Sequence, residues 1–297
     1  MKKLSASIDF TSSGDSSVFL EVAVQSVPVL CGHWTFNIRL GKKLLQHAGE
    51  WTLLCEHTEK GCGYTEIELK LADEDATHTY RLQRSVLLDK KNKVLLLLDT
   101  VLTDTESTDA GRPNQSILSY SSSLCVSSAL SAKPSDEASE ILFRPVTRPV
   151  AARQGASPLN VFPLALPEWK ESVQSGIVHG NLTEKDGILT LHQETTGRSL
   201  VAPLFLDLNA DRLNKPASRN KYTWRQLSVG ENLQRVNEDQ AVGYRVQIGK
   251  DQFLIYRSLT PLANRTLLGH NLTSDFCFAR FDSETGVTPL IEIDVAP

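Results

Sequence analysis

Hydrophobic and polar residues alternate with a period of two along most of the chain. The clearest case begins at Tyr80, where polar Arg81, Gln83 and Ser85 fall between apolar positions. This period predicts a strand with one buried side. The charged run 89–93 predicts a turn. Residues 94–98 are apolar at every position, which predicts a central strand that is covered on both faces, so the chain is organised around a buried hairpin.

The same alternation recurs before and after this hairpin, at 18–24, 34–40, 67–71 and 242–248. Regular short strands separated by turn-forming residues indicate antiparallel sheets that pack as a sandwich or close as a barrel. Helical patterns are limited to two short stretches, Asn209 to Leu213 and Gly230 to Val236. We predict an all-β fold, a large antiparallel two-layer β-sandwich of the supersandwich type with few short helices.

A segment rich in Pro, Arg and Ala, 144–160, interrupts the alternating pattern. Its prolines favour extended, non-helical backbone. We interpret it as a surface crossing between an N-terminal half, 1–143, and a C-terminal half, 161–297, although one continuous domain is also compatible with the pattern. Residues 242–260 repeat the plan of the first hairpin. Duplication would explain this, but long hairpins in sandwiches also converge on it, and we favour convergence.

Composition and charge exclude several classes of partner. The chain has 297 residues, 22% of them charged, a formal net charge of -4 and a pI near 6.0. It has no long basic cluster, so nucleic acid and anionic membrane surfaces are poor partners. No apolar run approaches the ~20 residues of a membrane-spanning helix. The N-terminal residues alternate like a strand instead of forming a signal peptide, and the five cysteines lack tight spacing. These features predict a soluble cytoplasmic protein.

Two Cys-x-His pairs are candidate metal ligands: Cys31 with His33, and Cys55 with His57. Residues two apart on a strand share a face, so two such strands side by side would supply the ligands that zinc accepts, with Cys62 as a substitute. The alternative is that Cys31 and Cys55 are small buried hydrophobic residues and that the histidines lie at strand ends. We favour this alternative and expect no metal.

Other cofactor motifs are incomplete. The run from Asp207 to Asp211 resembles the start of a calcium loop, but Arg212 stands where the loop requires glycine, so we favour a polar turn. Gly61-Cys62-Gly63 lacks the third glycine of a dinucleotide-binding loop. There is no phosphate-binding loop, nucleophile elbow or zinc-protease motif. We therefore expect no cofactor. The sequence leaves catalysis uncertain, and we lean against it.

A late cluster combines aromatic rings with guanidinium groups: Trp224, Arg225, Tyr256, Arg257 and His270. Flat rings can stack on sugar faces, and forked donors can hold hydroxyl or carboxylate groups. If both arginines faced the open side, they would form a cationic patch for an acidic glycan, with the rings behind them. The alternative, which we favour, is that both rings are core residues and that Arg257 pairs with an acidic neighbour across the sandwich.

A family resemblance rests on short motifs between residues 57 and 101: His57, Gly63-Tyr64, His78-x-x-Arg81 and Asp99-Thr100-Val101. This arrangement resembles the β-sandwich domain of heparinase II/III-type polysaccharide lyases. The resemblance implies a sandwich fold and a sugar-related ancestry. It implies no catalytic residue, because those lyases carry theirs largely on a helical barrel that this sequence does not predict. Three later segments resemble a bacterial family with no assigned activity: 161–169, 223–233 and 254–272.

Two functions are compatible with these observations. The first is a non-catalytic β-sandwich module that binds a carbohydrate, in particular an acidic glycan, or a partner protein. The second is a carbohydrate-active enzyme, a polysaccharide lyase or a sugar epimerase, with its site on a concave sheet face. The missing acid/base motif favours the first, and an exposed row of His, Arg and Glu along such a face would favour the second.

Overall fold

The structure is a computed structural model. It describes residues 4–10, 17–74, 79–103, 117–146, 156–171, 178–214, 222–261 and 263–294. These residues form four sheets, and every strand pair among them is antiparallel.

The first sheet follows the order β1 (Leu4–Asp9), β2 (Val18–Val24), β3 (Val27–Leu40), β10 (Leu118–Cys125), β15 (Ile188–Thr195) and β14 (Val178–Lys185), with β4 (Lys43–Leu44) paired to β3. The second sheet follows the order β11 (Leu130–Pro134), β12 (Ile141–Pro145), β13 (Leu159–Pro163), β16 (Leu200–Asp207), β9 (Val94–Thr103), β8 (Thr79–Asp89), β7 (Cys62–Ala72) and β5 (Gln46–His47), with β6 (Thr52–Glu59) paired to β7.

The third sheet follows the order β17 (Tyr222–Leu227), β20 (Ala241–Ile248), β21 (Asp251–Ser258), β24 (Phe276–Asp282) and β25 (Gly286–Ile293). The fourth sheet is small and follows the order β19 (Gln234–Arg235), β18 (Gly230–Glu231), β22 (Arg265–Leu267) and β23 (His270–Leu272).

The sheets are stacked, and each neighbouring pair encloses a hydrophobic core. The first core lies between the first and second sheets, the second core between the second and third, and the third core between the third and fourth. Sheets that pack face to face in this way bury alternate residues of every strand. The all-β sandwich prediction is confirmed. The number of layers was predicted wrongly, because four stacked sheets with three cores replace the two layers expected.

The predicted central hairpin consists of β8 and β9, joined by the turn at residues 90–93. Leu95 and Leu97 point into the first core, while Leu96 and Leu98 point into the second. The second sheet is covered on both faces, which explains why this strand is apolar at every position. The prediction of a doubly covered strand is confirmed.

The two helical predictions have different outcomes. Helix α1 (Ala210–Leu213) forms as predicted, and its N-cap residue Asn209 accepts a hydrogen bond from the backbone N–H of Asp211. The helix predicted at Gly230 to Val236 is wrong. This stretch forms the hairpin of β18 and β19, because its backbone pairs in the fourth sheet.

Strands from both sides of the predicted crossing segment lie in the same sheets. β13 and β16 continue the second sheet, and β14 and β15 continue the first. The segment itself lies partly outside the described residues, and the division into two halves stays a prediction. No helix among the described residues is long and apolar enough to cross a membrane.

Candidate functional site

The residues predicted to bind carbohydrate are not gathered at one site. Trp224 on β17 is 2% exposed in the second core, and its indole N–H donates to the carbonyl of Leu166 at 3.0 Å. Tyr256 on β21 is 1% exposed in the third core. The two rings therefore point to opposite faces of the third sheet. The interpretation of both as core residues is confirmed.

Arg257 points into the second core, opposite to its neighbour Tyr256. Its guanidinium forms an ion pair with Glu66 on β7 and also donates to the side-chain oxygen of Gln83 on β8. Burial is the largest single influence on the pKa of Arg257 and lowers it, but the charge and hydrogen bond of Glu66, together with Tyr64 and Asp275, raise the pKa above its ordinary value. The predicted pairing with an acidic residue across the sandwich is confirmed.

Arg225 is exposed, on the face of the third sheet opposite to Arg257. Its cross-strand partner is Arg245, whose next partner is Leu254, so Arg225 shares the face that carries Tyr256. The hypothesis that Arg225 and Arg257 form one cationic patch on an open face is wrong, because their register places them on opposite faces.

His270 lies on β23 in the fourth sheet, with its Nε2 3.8 Å from a carboxylate oxygen of Glu292. The third sheet stands between it and Trp224. His270 lines a small pocket of the third core with Tyr256, but the third sheet separates it from the side chains of Trp224 and Arg257 in the second core.

The candidate zinc ligands do not converge. Cys31 and His33 are exposed on the outer face of the first sheet, whereas Cys55 and His57 lie on β6 in the second. The described part of the chain contains no group of three or more His, Cys, Asp or Glu residues placed to hold a metal ion. Because Cys31 is exposed, its interpretation as a buried hydrophobic residue is also wrong. Cys62 is buried in the second core, and burial raises its pKa to about 12.

The calcium-like run is a polar turn, as favoured. Both carboxylate oxygens of Asp207 accept hydrogen bonds from Arg212, whose Nε and Nη2 lie 3.1 and 2.8 Å away. The same guanidinium donates to Asp251 and to the carbonyl of Asn92. The arginine therefore already binds the carboxylate oxygens that a calcium ion would need as ligands.

A groove opens where the second core ends. The ring of Trp224 on β17 packs against Phe162 on β13, with 5.4 Å between the centroids. Since β17 is the edge strand of the third sheet, β12 and β11 extend past it and leave part of the second sheet uncovered. The resulting groove has a volume of about 260 Å³.

One side of the groove is formed by β12 and β13. Ile141 and Phe143 point into the first core, so the alternating residues Leu142 and Arg144 point the other way, toward the groove. Asn160 on β13 is the cross-strand partner of Leu142 and lines the same face. The polar groups of this wall therefore follow from the period of two.

The other side is formed by residues 168–170 and by β17. Trp169 forms a bridge with Ala138, and the carbonyl of Glu168 accepts a hydrogen bond from the N–H of Ser139 at 2.9 Å. This short pairing fixes a segment that has no strand of its own. Trp169 is 53% exposed and lines the groove, next to the buried Trp224.

Two glutamates of the groove have raised pKa values. Burial raises the pKa of Glu140, the amide of Asn160 acts against this, and the nearby charge of Glu168 raises it further. Burial also raises the pKa of Glu168, although the backbone N–H of Trp224 and the charge of Arg225 act against it. Each carboxylate uses its Oε2 to accept a protein N–H, from Asn160 at 3.0 Å and from Trp224 at 3.3 Å.

Comparisons with known proteins add no identity: no protein-family model matches the chain, and no curated protein matches it. The resemblance to heparinase II/III-type lyases therefore stays a prediction. The groove has to be interpreted from its own chemistry.

The sequence analysis missed most residues of this groove, including Glu140, Asn160, Glu168, Trp169 and Tyr222. Trp169 offered one signal, because it lies two residues after a proline in a stretch without alternation and has charged residues on both sides. A tryptophan outside any strand pattern has no predicted core to enter. The glutamates and Asn160 carried no comparable signal, since only the pairing of β12 with β13 and of Ala138 with Trp169 brings them together.

Proposed function

We propose that the protein is a non-catalytic β-sandwich module that binds a carbohydrate in the groove between β12 and β17. The exposed ring of Trp169 carries this proposal. A tryptophan that leaves half its surface in water beside a polar groove offers a stacking platform for the apolar face of a sugar ring. Small-molecule sites combine such apolar surface with a few polar groups that fix the ligand's orientation.

The other lining groups support the same function. Glu140, Glu168, Arg144 and Ser135 surround the ring with hydrogen-bonding groups. The groove volume of about 260 Å³ lies just below the usual range for small-molecule sites, about 300–1,000 Å³, so it suits a small ligand or one end of a chain. By contrast, the paired arginines on which binding of an acidic glycan depended are not found on one face.

The test is glycan binding by the Trp169→Ala variant. We expect a glycan array to detect binding by the native protein, and we expect the substitution to weaken it about tenfold, since a stacked ring contributes roughly 0.5–1.5 kcal/mol beyond its buried area. The melting temperature should stay close to that of the native protein, because the ring is half exposed.

Leu53→Ala is the matched control, because Leu53 is 50% exposed on β6, in the second sheet. It should leave binding unchanged. Equal binding by native protein and Trp169→Ala, or no glycan bound by the native protein, would contradict the proposal.

A second candidate function has a specific observation in its favour. On the outer face of the first sheet, Arg39, Ser119, Glu194 and His179 are successive cross-strand partners. The Nε2 atom of His192 lies 3.5 Å from a carboxylate oxygen of Glu194. This is a row of Arg, Glu and His on a sheet face, which supports the alternative of a polysaccharide lyase or sugar epimerase.

In such a reaction a histidine would remove the proton from the carbon next to a uronate carboxylate, while an arginine holds that carboxylate. The electron pair of that C–H bond forms a carbon–carbon double bond while the adjacent bond to the oxygen of the neighbouring sugar breaks, and the departing oxygen takes up a proton from water. On incubation with uronate polysaccharides, the native protein should form a product that absorbs ultraviolet light, and His192→Gln should form none. His33→Gln, an exposed histidine elsewhere on the same sheet, is the matched control. No product from the native protein rules out the lyase.

A further inference from the structure

Two polar atoms of the groove have no hydrogen-bond partner within the described residues: Oδ1 of Asn160 and the hydroxyl of Tyr222. Asn160 is 2% exposed, and its amide nitrogen donates to Glu140. The ring of Tyr222 packs against Phe162 with 5.4 Å between the centroids, which fixes its position at the edge strand β17.

Such atoms are uncommon and costly. Leaving a buried acceptor or hydroxyl without a partner costs about 1–3 kcal/mol, and most buried polar groups in folded proteins are paired. Here both residues line one groove together with the exposed Trp169, and their two unpaired atoms are buried in its wall. A ligand that supplies the missing partners would remove this cost on binding.

The chemistry of the atoms restricts that ligand. An amide Oδ1 only accepts hydrogen bonds, so its partner must be a donor. Burial, together with the charge of Asp207, raises the pKa of Tyr222, so its hydroxyl keeps its proton and can donate as well as accept. Sugar hydroxyl groups match both atoms, because each can donate and accept.

The charges around these atoms disfavour an anionic ligand. Two glutamates, Glu140 and Glu168, line the groove with one arginine, Arg144, so negative groups outnumber positive ones, and the charge of Glu168 already acts on Glu140. A uronate or a sulfated sugar would bring a further negative charge and only acceptor atoms to an acceptor-rich surface. Hydroxyl groups, by contrast, can donate to these carboxylates.

We propose that Oδ1 of Asn160 and the hydroxyl of Tyr222 bind hydroxyl groups of a neutral sugar, with the exposed ring of Trp169 stacked beside it. This inference rests on the carbohydrate-binding function proposed above and names its ligand class. The two atoms determine which neutral sugar is bound, and Trp169 supplies stacking that most sugars can use.

The experiment uses Tyr222→Phe, which removes only the unpaired hydroxyl. The probe is the methyl glycoside of the neutral sugar that binds best on the array, together with its monodeoxy analogues. We expect affinity for the glycoside to fall about three- to tenfold, as for one lost hydrogen bond, while the melting temperature stays equal or rises. A purely structural hydroxyl would instead lower the melting temperature and leave the affinity unchanged.

The deoxy analogues identify the contact. One analogue should bind the native protein more weakly than the parent glycoside does. To Tyr222→Phe, the same analogue and the parent should bind with equal affinity, because the missing sugar hydroxyl and the missing tyrosine hydroxyl belong to the same hydrogen bond. Tyr244→Phe is the control, since Tyr244 lies in the same core but outside the groove lining. It should leave affinity unchanged.

The outcomes separate this inference from the function on which it rests. If Trp169→Ala weakens sugar binding as expected and Tyr222→Phe does not affect it, the groove binds sugar without these atoms and only the present inference is overturned. If the native protein prefers uronate or sulfated glycans and Trp169→Ala loses that binding, the groove binds sugar but not a neutral one, and again only the present inference is overturned. If no glycan binds, both are overturned.

Discussion

Two polar clusters in this protein have opposite kinds of environment. In the first core, Arg84 is fully buried, and its Nε and Nη2 donate to the two oxygens of Asp99 at 2.9 and 2.7 Å. Its Nη1 donates to the carbonyl of Trp34 at 2.6 Å, and the hydroxyl of Tyr120 donates to Asp99. The guanidinium also lies 3.8 Å from the centroid of the Trp34 ring. All three nitrogens of the guanidinium therefore have a protein acceptor.

The groove at the end of the second core contains similar residue types with incomplete partners. Asn160 and Tyr222 each keep one polar atom unpaired among the described residues, and Trp169 keeps half of its surface in water. Both clusters involve the second sheet. Arg84 lies on the face that points into the first core, and the groove lies on the opposite face. Polarity and burial are common to both clusters, so the proposal for the groove rests on its unpaired atoms beside exposed aromatic surface.

The largest effect is expected from breaking the buried ion pair of Arg84 and Asp99. Arg84→Leu leaves the buried carboxylate of Asp99 without its counter-charge, and removal of one partner from a buried ion pair typically costs about 3–5 kcal/mol. Urea denaturation should show a loss of this size. Arg39→Ala, an exposed arginine in the first sheet, serves as the control and should change stability little. A loss below ~1 kcal/mol for Arg84→Leu would contradict a structural role.

A slightly smaller effect is expected from a change in the apolar packing of the second core, at whose end the groove lies. Leu96 is 1% exposed and points into the second core from the central hairpin. Leu96→Ala should lower the free energy of unfolding by about 2–5 kcal/mol, the usual cost of a large-to-small change in a packed core. The measurement is again urea denaturation. A loss below ~1 kcal/mol would mean that the hairpin is peripheral, against its double burial.

The smallest effect, and one of opposite sign, is expected in the groove. The folded state raises the pKa of Glu140 above its ordinary value of 4.5, so the folded protein holds this proton more tightly than the unfolded chain does. Its contribution to stability is therefore greatest below about pH 4.5 and falls as the pH rises through the raised pKa. Glu140→Gln removes this fall while keeping an acceptor for the amide of Asn160.

Thermal denaturation between pH 4 and pH 8 checks this expectation. At pH 7 Glu140→Gln should melt at or slightly above the temperature of the native protein, and the difference should disappear near pH 4. Glu56→Gln, at an exposed position on β6, should show no such pattern. A variant that melts well below the native protein at pH 7 would mean that Glu140 belongs to a buried, paired cluster like that of Arg84.

The sequence predicted the strands well, because a period of two depends only on local residue order. The hairpin of β8 and β9 was correct in its alternation, its turn and the double burial of its second arm. The first arm was predicted to bury one side only, and this was wrong: Gln83 and Ser85 on its other side are 6% and 2% exposed, because the third sheet covers that face. The Gly230–Val236 stretch was assigned wrongly, because its pattern is too short to distinguish a helical turn from a tight hairpin. Its pairing with β22 comes from a segment about thirty residues away.

The candidate site was harder to predict for a related reason. Neighbours on a strand point to opposite faces, and the sequence showed this for Trp224 with Arg225 and for Tyr256 with Arg257. It did not show that a further sheet lies on each side of the third sheet, so that both rings are buried and Arg257 meets Glu66. Which of two faces is open depends on the other sheets.

By itself, the sequence determined the all-β class, the alternating faces of the strands and the position of the central hairpin, because each follows from the order of residues along one segment. Tertiary structure decided the stacking of four sheets, the complete pairing of Arg84 and the groove at the end of the second core. Those features depend on which distant strands meet and where the edge strand β17 stops covering the second sheet. Such contacts between distant segments leave no periodic trace in the sequence of either segment.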